Sequence, residues 1–240
     1  MESLPTVFHT RASGIHRPGK TFMDARVRGH DSKSGQKGMA KNVSARAFKE
    51  ENVKSALLAW GSLVWDPKGL ETAGPFAANG PLLPVEFCSA TADGRLTLAI
   101  DENFGALCKT YSAPSALPTL DAAIENLRAR EGLRTSGTIG FVEPASGRQS
   151  DVAMERHPEA VATIGAWTAA NGYDAAIWMA VKSNFDHTSG EPFSVSAAIQ
   201  YLETLEADDP AKFATALAYI RNAPPEIETP VRERVAKRWP

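Results

Sequence analysis

The sequence predicts an α+β protein in which helices pack on a mostly antiparallel, barrel-like β-sheet. Short apolar runs separated by turn signals fill the middle of the chain and predict the strands. One amphipathic helix interrupts these strands, and the pattern becomes helical after residue 194. The 240 residues, of which 43% are hydrophobic and 22% charged, are enough to bury one sizeable core.

The first 50 residues differ in composition from the rest of the chain. They are rich in Gly, Ser and basic residues and have no sustained apolar period, whereas residues 51–240 carry an excess of Asp and Glu. We predict that residues 1–50 form a disordered basic arm and that residues 51–240 form a single domain, helical from about 194 to 240. An alternative explanation of the arm is that translation starts at Met23 or Met39.

Charge and cysteine usage narrow the classes of function. The basic arm lacks the interleaved aromatic residues of nucleic-acid-binding segments, so no nucleic-acid partner is expected. No apolar run approaches the roughly 20 residues that span a bilayer, and Cys88 and Cys108 do not form a CxxC motif. The histidines lack the spacing of a zinc site, so we assign no metal. A cytoplasmic location without membrane attachment is expected.

The strands predicted in the first half form a meander. Each is bounded by turn residues, and the Asp-Gly pair at positions 93 and 94 is a hairpin signal. The predicted strands cover residues 55–60, 84–90, 95–101 and 105–113, with an ordered but irregular loop over 66–84.

Capping residues predict the helix boundaries. Thr119 is the N-cap of a helix from Leu120 to Glu131, which Gly132 ends in a left-handed conformation. A strand over 138–143, a helix over 158–172 and a central apolar strand over 173–181 follow. The three C-terminal helices are predicted over 194–207, 209–223 and 229–239.

Glu131 continues the buried stripe of the first helix. The apolar residues of this stripe are Leu120, Ile124 and Leu127. Glu131 lies four residues further, in the last turn, where burial and the negative end of the helix dipole both disfavour a charged carboxylate. Such an environment is typical of a general acid–base group. The alternative is a solvated carboxylate paired with Arg128 or Arg134.

The loop Gly61-Ser62-Leu63 directly follows the first predicted strand. A glycine there lets the backbone turn sharply and present successive N–H groups to an anionic ligand. The alternative is an ordinary turn, because this tripeptide by itself is common.

Taken together, the two stretches resemble the γ-glutamylcyclotransferase-like superfamily. Its members typically carry Tyr-Gly-Ser-Leu after their first strand, and "GSLVWDP" is closest in motif to the glutathione-degrading ChaC-type branch. The family's catalytic glutamate ends a helix and corresponds to Glu131 in "RAREG". The resemblance covers residues 55 to about 143, and the strand segment at 175–178 fits it.

The resemblance implies a γ-glutamylcyclotransferase-like fold and the cyclisation of a small γ-glutamyl substrate to 5-oxoproline, with release of an amine. It implies Glu131 as the catalytic residue, Trp60, Gly61, Ser62 and Leu63 as substrate-binding residues, and no cofactor. Trp60 replaces the family's tyrosine and has no phenolic oxygen, which puts the identity of the substrate in doubt. Two alternatives are a non-catalytic protein that binds a small ligand and an interaction protein that uses its C-terminal helices.

Overall fold

The computed structural model describes residues 52–240, and the predicted arm lies outside the described residues. The described part is α+β, with eight strands and seven helices. The strands are β1 (Ser55–Ala59), β2 (Leu82–Ala90), β3 (Leu96–Ile100), β4 (Ala106–Lys109), β5 (Tyr111–Pro114), β6 (Ile139–Glu143), β7 (Arg148–Gln149) and β8 (Ala175–Met179). The helices are α1 (Leu120–Arg130), α2 (Asp151–Arg156), α3 (Pro158–Ala170), α4 (Phe185–Ser189), α5 (Val195–Asp208), α6 (Pro210–Asn222) and α7 (Pro230–Arg238).

A five-stranded mixed sheet forms the centre of the fold. Its strand order is β5-β1-β8-β6-β7, so the apolar strand β8 is central, as predicted. Strand β1 pairs antiparallel with β5 and parallel with β8. Both β1 and the first four residues of β8 are fully buried, which matches their continuous apolar sequence. Because β1 and β8 are parallel, their carboxyl ends lie at the same edge of the sheet.

The remaining strands form a separate antiparallel sheet of order β3-β2-β4, and residues 52–240 contain no closed barrel. The prediction of a barrel-like sheet is therefore wrong, whereas antiparallel pairing does predominate. The reason lies at Thr110, which divides the predicted strand over 105–113 into β4 and β5. Thr110 is buried and donates its hydroxyl to the carbonyl of Pro81 at 2.7 Å. The chain thus passes from one sheet to the other instead of closing a meander.

Two hydrophobic clusters cover the two faces of the five-stranded sheet. On one face, Leu57 and Ile177 pack with Leu120 and Leu127 of α1. On the other face, alternate residues of β1 and β8 join a larger cluster with the three-stranded sheet and helices α3 to α7. The C-terminal helices α5, α6 and α7 therefore share a core with the sheets.

The helices that the sequence predicts are all present. Thr119 accepts a hydrogen bond from the backbone N–H of Ala122 at the start of α1, and Gly132 adopts a φ of 65° just after it. Helices α2 and α4 were not predicted, because six and five residues are too few to show a helical period. Among the described residues, no helix is both long and apolar enough to cross a membrane.

Candidate active site

A cavity of about 380 Å³ opens where β1 and β8 end. Its lining includes all five residues that the sequence singles out: Trp60, Gly61, Ser62, Leu63 and Glu131. The parallel pairing of β1 and β8 brings Met179 and Val181 to the same edge as the Gly61 loop. Ligands of open α/β sheets commonly bind at the carboxyl ends of parallel strands, and this cavity has that position.

Glu131 is the C-cap of α1, and its side chain is 23% exposed. The guanidinium of Arg130 donates to its Oε1 at 2.7 Å, whereas Oε2 has no partner within residues 52–240. Neither partner proposed from the sequence is used, because Arg128 instead pairs with Glu125. The cation of Arg130 compensates for the unfavourable end of the helix dipole and fixes the orientation of the carboxylate.

Arg130 also joins the two sequence stretches. Its side chain is 11% exposed, and its second terminal nitrogen donates to the backbone carbonyl of Asp66. Asp66 belongs to the segment "GSLVWDP", so one guanidinium holds both this segment and the carboxylate of Glu131. The loop and the glutamate are consequently fixed relative to each other by a side chain that the sequence analysis did not identify.

The Gly61-Ser62-Leu63 loop is one turn of helix-like backbone after β1. Val64 donates to the carbonyl of Gly61 at 3.0 Å, and Asp66 donates to that of Ser62 at 2.8 Å. As at the start of any helical turn, the first N–H groups are left without intrahelical acceptors. The backbone of Ser62 is engaged with the phenol of Tyr219, and the binding of a ligand by the other loop N–H groups stays a prediction.

Gly61 is required for a reason different from the predicted one. It is not among the glycines with positive φ, so the turn does not need glycine's conformational freedom. Instead, a Cβ atom at this position would lie 2.9 Å from the hydroxyl oxygen of Tyr219. Glycine thus provides the space that a phenol from α6 needs to reach the loop.

Tyr219 lies between the loop and a second charged group. Burial raises the pKa of its phenol, an effect opposed by hydrogen bonds with the backbone and side chain of Ser62 and by the charge of Arg95, while the charge of Glu131 adds to it. The phenol is therefore protonated at neutral pH and available as a donor. The ring also makes an edge contact with Trp65, at 5.5 Å between centroids.

Arg95 enters the cavity from the hairpin between β2 and β3. The predicted Asp-Gly turn is present: Gly94 has a φ of 85°, and Thr91 and Arg95 close the turn through a backbone hydrogen bond of 2.9 Å. The Nε of Arg95 lies 2.9 Å from Oδ2 of Asp93, and its guanidinium is 5.5 Å from the ring centroid of Tyr219.

Arg95, Arg130 and Tyr219 were not predicted as site residues. Tyr219 adjoins the apolar stripe of α6 and reads as a core residue, and Arg95 reads as a solvated residue beside a turn. Only Arg130 had a usable signal, since it precedes Glu131 in "RAREG". The other two contacts depend on how distant elements pack, which local patterns do not encode.

A second, larger groove of about 680 Å³ lies along the start of α7. Its arginine, Arg232, already donates to the carbonyls of Pro224, Ile227 and Ala223 at 2.6 to 2.9 Å. That guanidinium holds the turn before α7 and is not available to a ligand, so the cavity beside Glu131 is the better candidate.

Within residues 52–240, no cluster of three or more His, Cys, Asp or Glu side chains has the arrangement of a metal site. Comparisons with protein-family models, with curated proteins and with solved structures find no match to this chain.

Proposed function

We propose that this chain is an enzyme that cyclises a γ-glutamyl compound to 5-oxoproline and releases an amine. In this reaction the α-amino nitrogen of the γ-glutamyl group attacks its own γ-carbonyl carbon. A new C–N bond forms, the original amide C–N bond breaks, and the leaving nitrogen takes up a proton. Both reacting groups belong to one substrate, so the protein has to hold a folded conformation and move one proton.

The observation that carries the proposal is that Glu131 and the Gly61-Ser62-Leu63 loop line one cavity. These two stretches are far apart in the sequence, so it is the fold that brings them together. A volume of about 380 Å³ lies within the range of small-molecule sites. The shared cavity supports an acid–base group and a set of backbone donors acting on the same small ligand.

Glu131 has the role of general base and then general acid. Its Oε2 would accept the proton of the α-ammonium group, and the carboxyl group would return it to the departing amine nitrogen. Arg130 engages Oε1 and so leaves Oε2 as the reactive oxygen. We expect the loop and the phenol of Tyr219, which line the same cavity, to hold the oxyanion that develops on the γ-carbonyl.

The experiment measures 5-oxoproline release from γ-glutamyl dipeptides and glutathione by the wild type and by Glu131→Gln. We expect activity in the wild type and a loss of about 10²- to 10⁴-fold in turnover for the variant, the usual contribution of general acid–base catalysis. The control is Glu125→Gln, since Glu125 lies on the same helix but is exposed and paired with Arg128.

The outcomes separate the alternatives. An active Glu131→Gln variant would remove Glu131 from the mechanism. A wild type that binds γ-glutamyl compounds without turning them over would instead favour a non-catalytic binding protein. The interaction-protein alternative would gain support from a partner whose binding is unaffected by Glu131→Gln and by Gly61→Val.

A further inference from the structure

Asn184 lies where the two sheets of the fold meet at the cavity. It follows β8 of the five-stranded sheet, and it lines the cavity together with Ser89 and Ala90 at the end of β2 in the three-stranded sheet. The chain between β8 and α4 therefore crosses from one sheet to the other beside the cavity, and Asn184 makes the contact with β2.

The side-chain amide of Asn184 pairs with the backbone of Ala90 as a neighbouring strand would. Its Oδ1 accepts the N–H of Ala90 at 2.7 Å, and its Nδ2 donates to the carbonyl of the same residue at 2.9 Å. These two bonds determine which end of the amide is oxygen and which is nitrogen, because the N–H needs an acceptor and the carbonyl needs a donor. The orientation of the side chain is therefore fixed.

This pairing replaces the local role that an asparagine usually has at this position. Asn184 is the residue before α4, where its side chain would ordinarily accept a hydrogen bond from the first turn of the helix. It makes no such bond, and the N–H of Phe185 is instead directed to the hydroxyl of Ser183 at 3.4 Å. Capping of α4 therefore does not explain the asparagine.

One donor of the Asn184 amide is left over. A side-chain amide has two acceptor positions and two N–H groups. Oδ1 accepts from Ala90 and also from the hydroxyl of Ser89 at 3.3 Å, and one N–H of Nδ2 is given to Ala90. The second N–H has no partner within residues 52–240. Because Asn184 lines the cavity, this N–H is available to a ligand there.

The hydroxyl groups that line the cavity beside Asn184 have no such free donor. Each hydroxyl carries one hydrogen, and Ser89 donates its hydrogen to Asn184. Thr97 donates to the carbonyl of Ser89 at 3.0 Å, and Thr91 donates to the carboxylate of Asp93. Among these four neutral side chains of the cavity, only Asn184 keeps a hydrogen that is not used within the described part of the chain.

We infer that the second N–H of Asn184 binds a carbonyl or carboxylate oxygen of a small ligand in the cavity. Because the other three positions of the amide are already bonded, a ligand does not have to order this side chain when it binds. The inference concerns the binding of a ligand and not its reaction, so it does not depend on the proposed function.

The test titrates the isotope-labelled full chain with glutaramide and with glutarate, and it follows the NMR resonances of the Asn184 side-chain amide. We expect both compounds to shift these resonances. Asn184→Ala should weaken glutaramide by about 2- to 10-fold, as for one neutral hydrogen bond, and glutarate by about 10- to 100-fold, as for one with a charged acceptor. Cadaverine has a similar chain length but no oxygen, so it should not shift the Asn184 resonances.

A matched variant separates ligand binding from support of the cavity wall. Ser183→Ala removes a hydrogen bond of 2.7 Å from the same segment to the carbonyl of Cys88, and Ser183 does not line the cavity. Both alanine variants should lower the melting temperature, but only Asn184→Ala should weaken glutaramide and glutarate. Asn184→Asp keeps an acceptor for the N–H of Ala90 and removes both donors, so it should weaken glutarate more than glutaramide by charge repulsion.

The inference would be overturned if neither oxygen-bearing compound shifted the Asn184 resonances, or if Ser183→Ala weakened both compounds as much as Asn184→Ala. Neither compound has the α-amino group that cyclisation needs, so these results do not depend on turnover. Binding of glutaramide or glutarate through Asn184, without 5-oxoproline release from γ-glutamyl dipeptides, would support the inference and refute the catalytic proposal. Release of 5-oxoproline at the same rate by the wild type and Asn184→Ala, with equal KM, would do the reverse.

Discussion

Glu131 and Glu86 both place a carboxylate beside the end of a helix, yet their surroundings are opposite. Glu131 is at the C-terminal end of α1, is partly exposed to the cavity and is paired with Arg130. Glu86 is fully buried in β2, and its carboxylate accepts hydrogen bonds from Val231 and Thr229 at the N-terminal end of α7. The helix dipole disfavours a charged carboxylate at Glu131 and favours one at Glu86, although burial of Glu86 works against its charge.

Under the proposed function, Glu131 takes part in chemistry, whereas Glu86 joins two elements of the fold. Glu86 receives the N–H of Phe87 at 2.8 Å and that of Val231 at 3.4 Å, so it attaches α7 to the three-stranded sheet without any cation. Glu131 needs Arg130 to compensate for its position and still presents Oε2 to the cavity. An oxygen that stays accessible to the cavity is what the proposed acid–base role requires.

The largest effect should be the loss of turnover when Glu131 is exchanged for glutamine, and the same exchange at Glu86 provides the comparison. Glu131→Gln should reduce turnover by about 10²- to 10⁴-fold and leave the free energy of unfolding within about half a kcal/mol, because the amide oxygen still accepts from Arg130. Glu86→Gln should leave turnover unchanged. Activity assays and urea denaturation of both variants test this reciprocal pattern, and a loss of turnover in Glu86→Gln would break the distinction.

The next effect concerns the loop opposite Glu131. Gly61→Val would push side-chain atoms into the hydroxyl of Tyr219, and overpacking of this kind costs about 1–3 kcal/mol of folding stability. Because the loop or Tyr219 has to move, we expect a clear loss of ligand affinity as well. Ser62→Ala keeps the backbone donors and should weaken binding much less. Titration of both variants with a γ-glutamyl ligand provides the measurement. If Ser62→Ala abolished binding and Gly61→Val were tolerated, the loop would act through its hydroxyl.

The sequence predicted what local signals determine. The caps Thr119 and Gly132 placed α1, and hence Glu131, within a residue of its observed end. The division of one predicted strand at Thr110 depends on a hydrogen bond with Pro81, a distant residue, and no local pattern indicates it. The same holds for Tyr219, which reaches Gly61 only because α6 packs beside the end of β1.

A smaller effect should follow from removing the buried carboxylate altogether. Glu86→Ala leaves the N–H of Val231 and the hydroxyl of Thr229 without their acceptor, a loss of about 1–3 kcal/mol for buried donors. For a chain of this size, each kcal/mol lowers the melting temperature by about 2–4 °C. Thermal melting of this variant, with the exposed Glu155→Ala as control, measures the loss. An unchanged melting temperature would show that Glu86 does not attach α7.

The last prediction concerns the part of the pH dependence of stability that comes from Glu86. Burial raises the pKa of Glu86 above its ordinary value of 4.5, and the negative charge of Asp101 adds to this, whereas hydrogen bonds from Thr229, Phe87 and Val231 oppose it. The folded protein therefore retains this proton at a pH where the unfolded chain has released it. The stabilisation is complete below about pH 4.5 and is lost as pH rises through the folded pKa, with a slope of at most about 1.4 kcal/mol per pH unit.

Burial lowers the pKa of His157, which acts in the opposite direction as pH falls, so the wild type alone does not isolate the effect. The difference in unfolding free energy between Glu86→Gln and the wild type cancels the histidine, and it should increase in favour of the variant as pH rises from 4.5. If this difference in unfolding free energy stayed constant up to pH 7, the prediction would be wrong. The N-terminal end of α7 would then keep the Glu86 carboxylate charged, because its hydrogen bonds would outweigh the effect of burial.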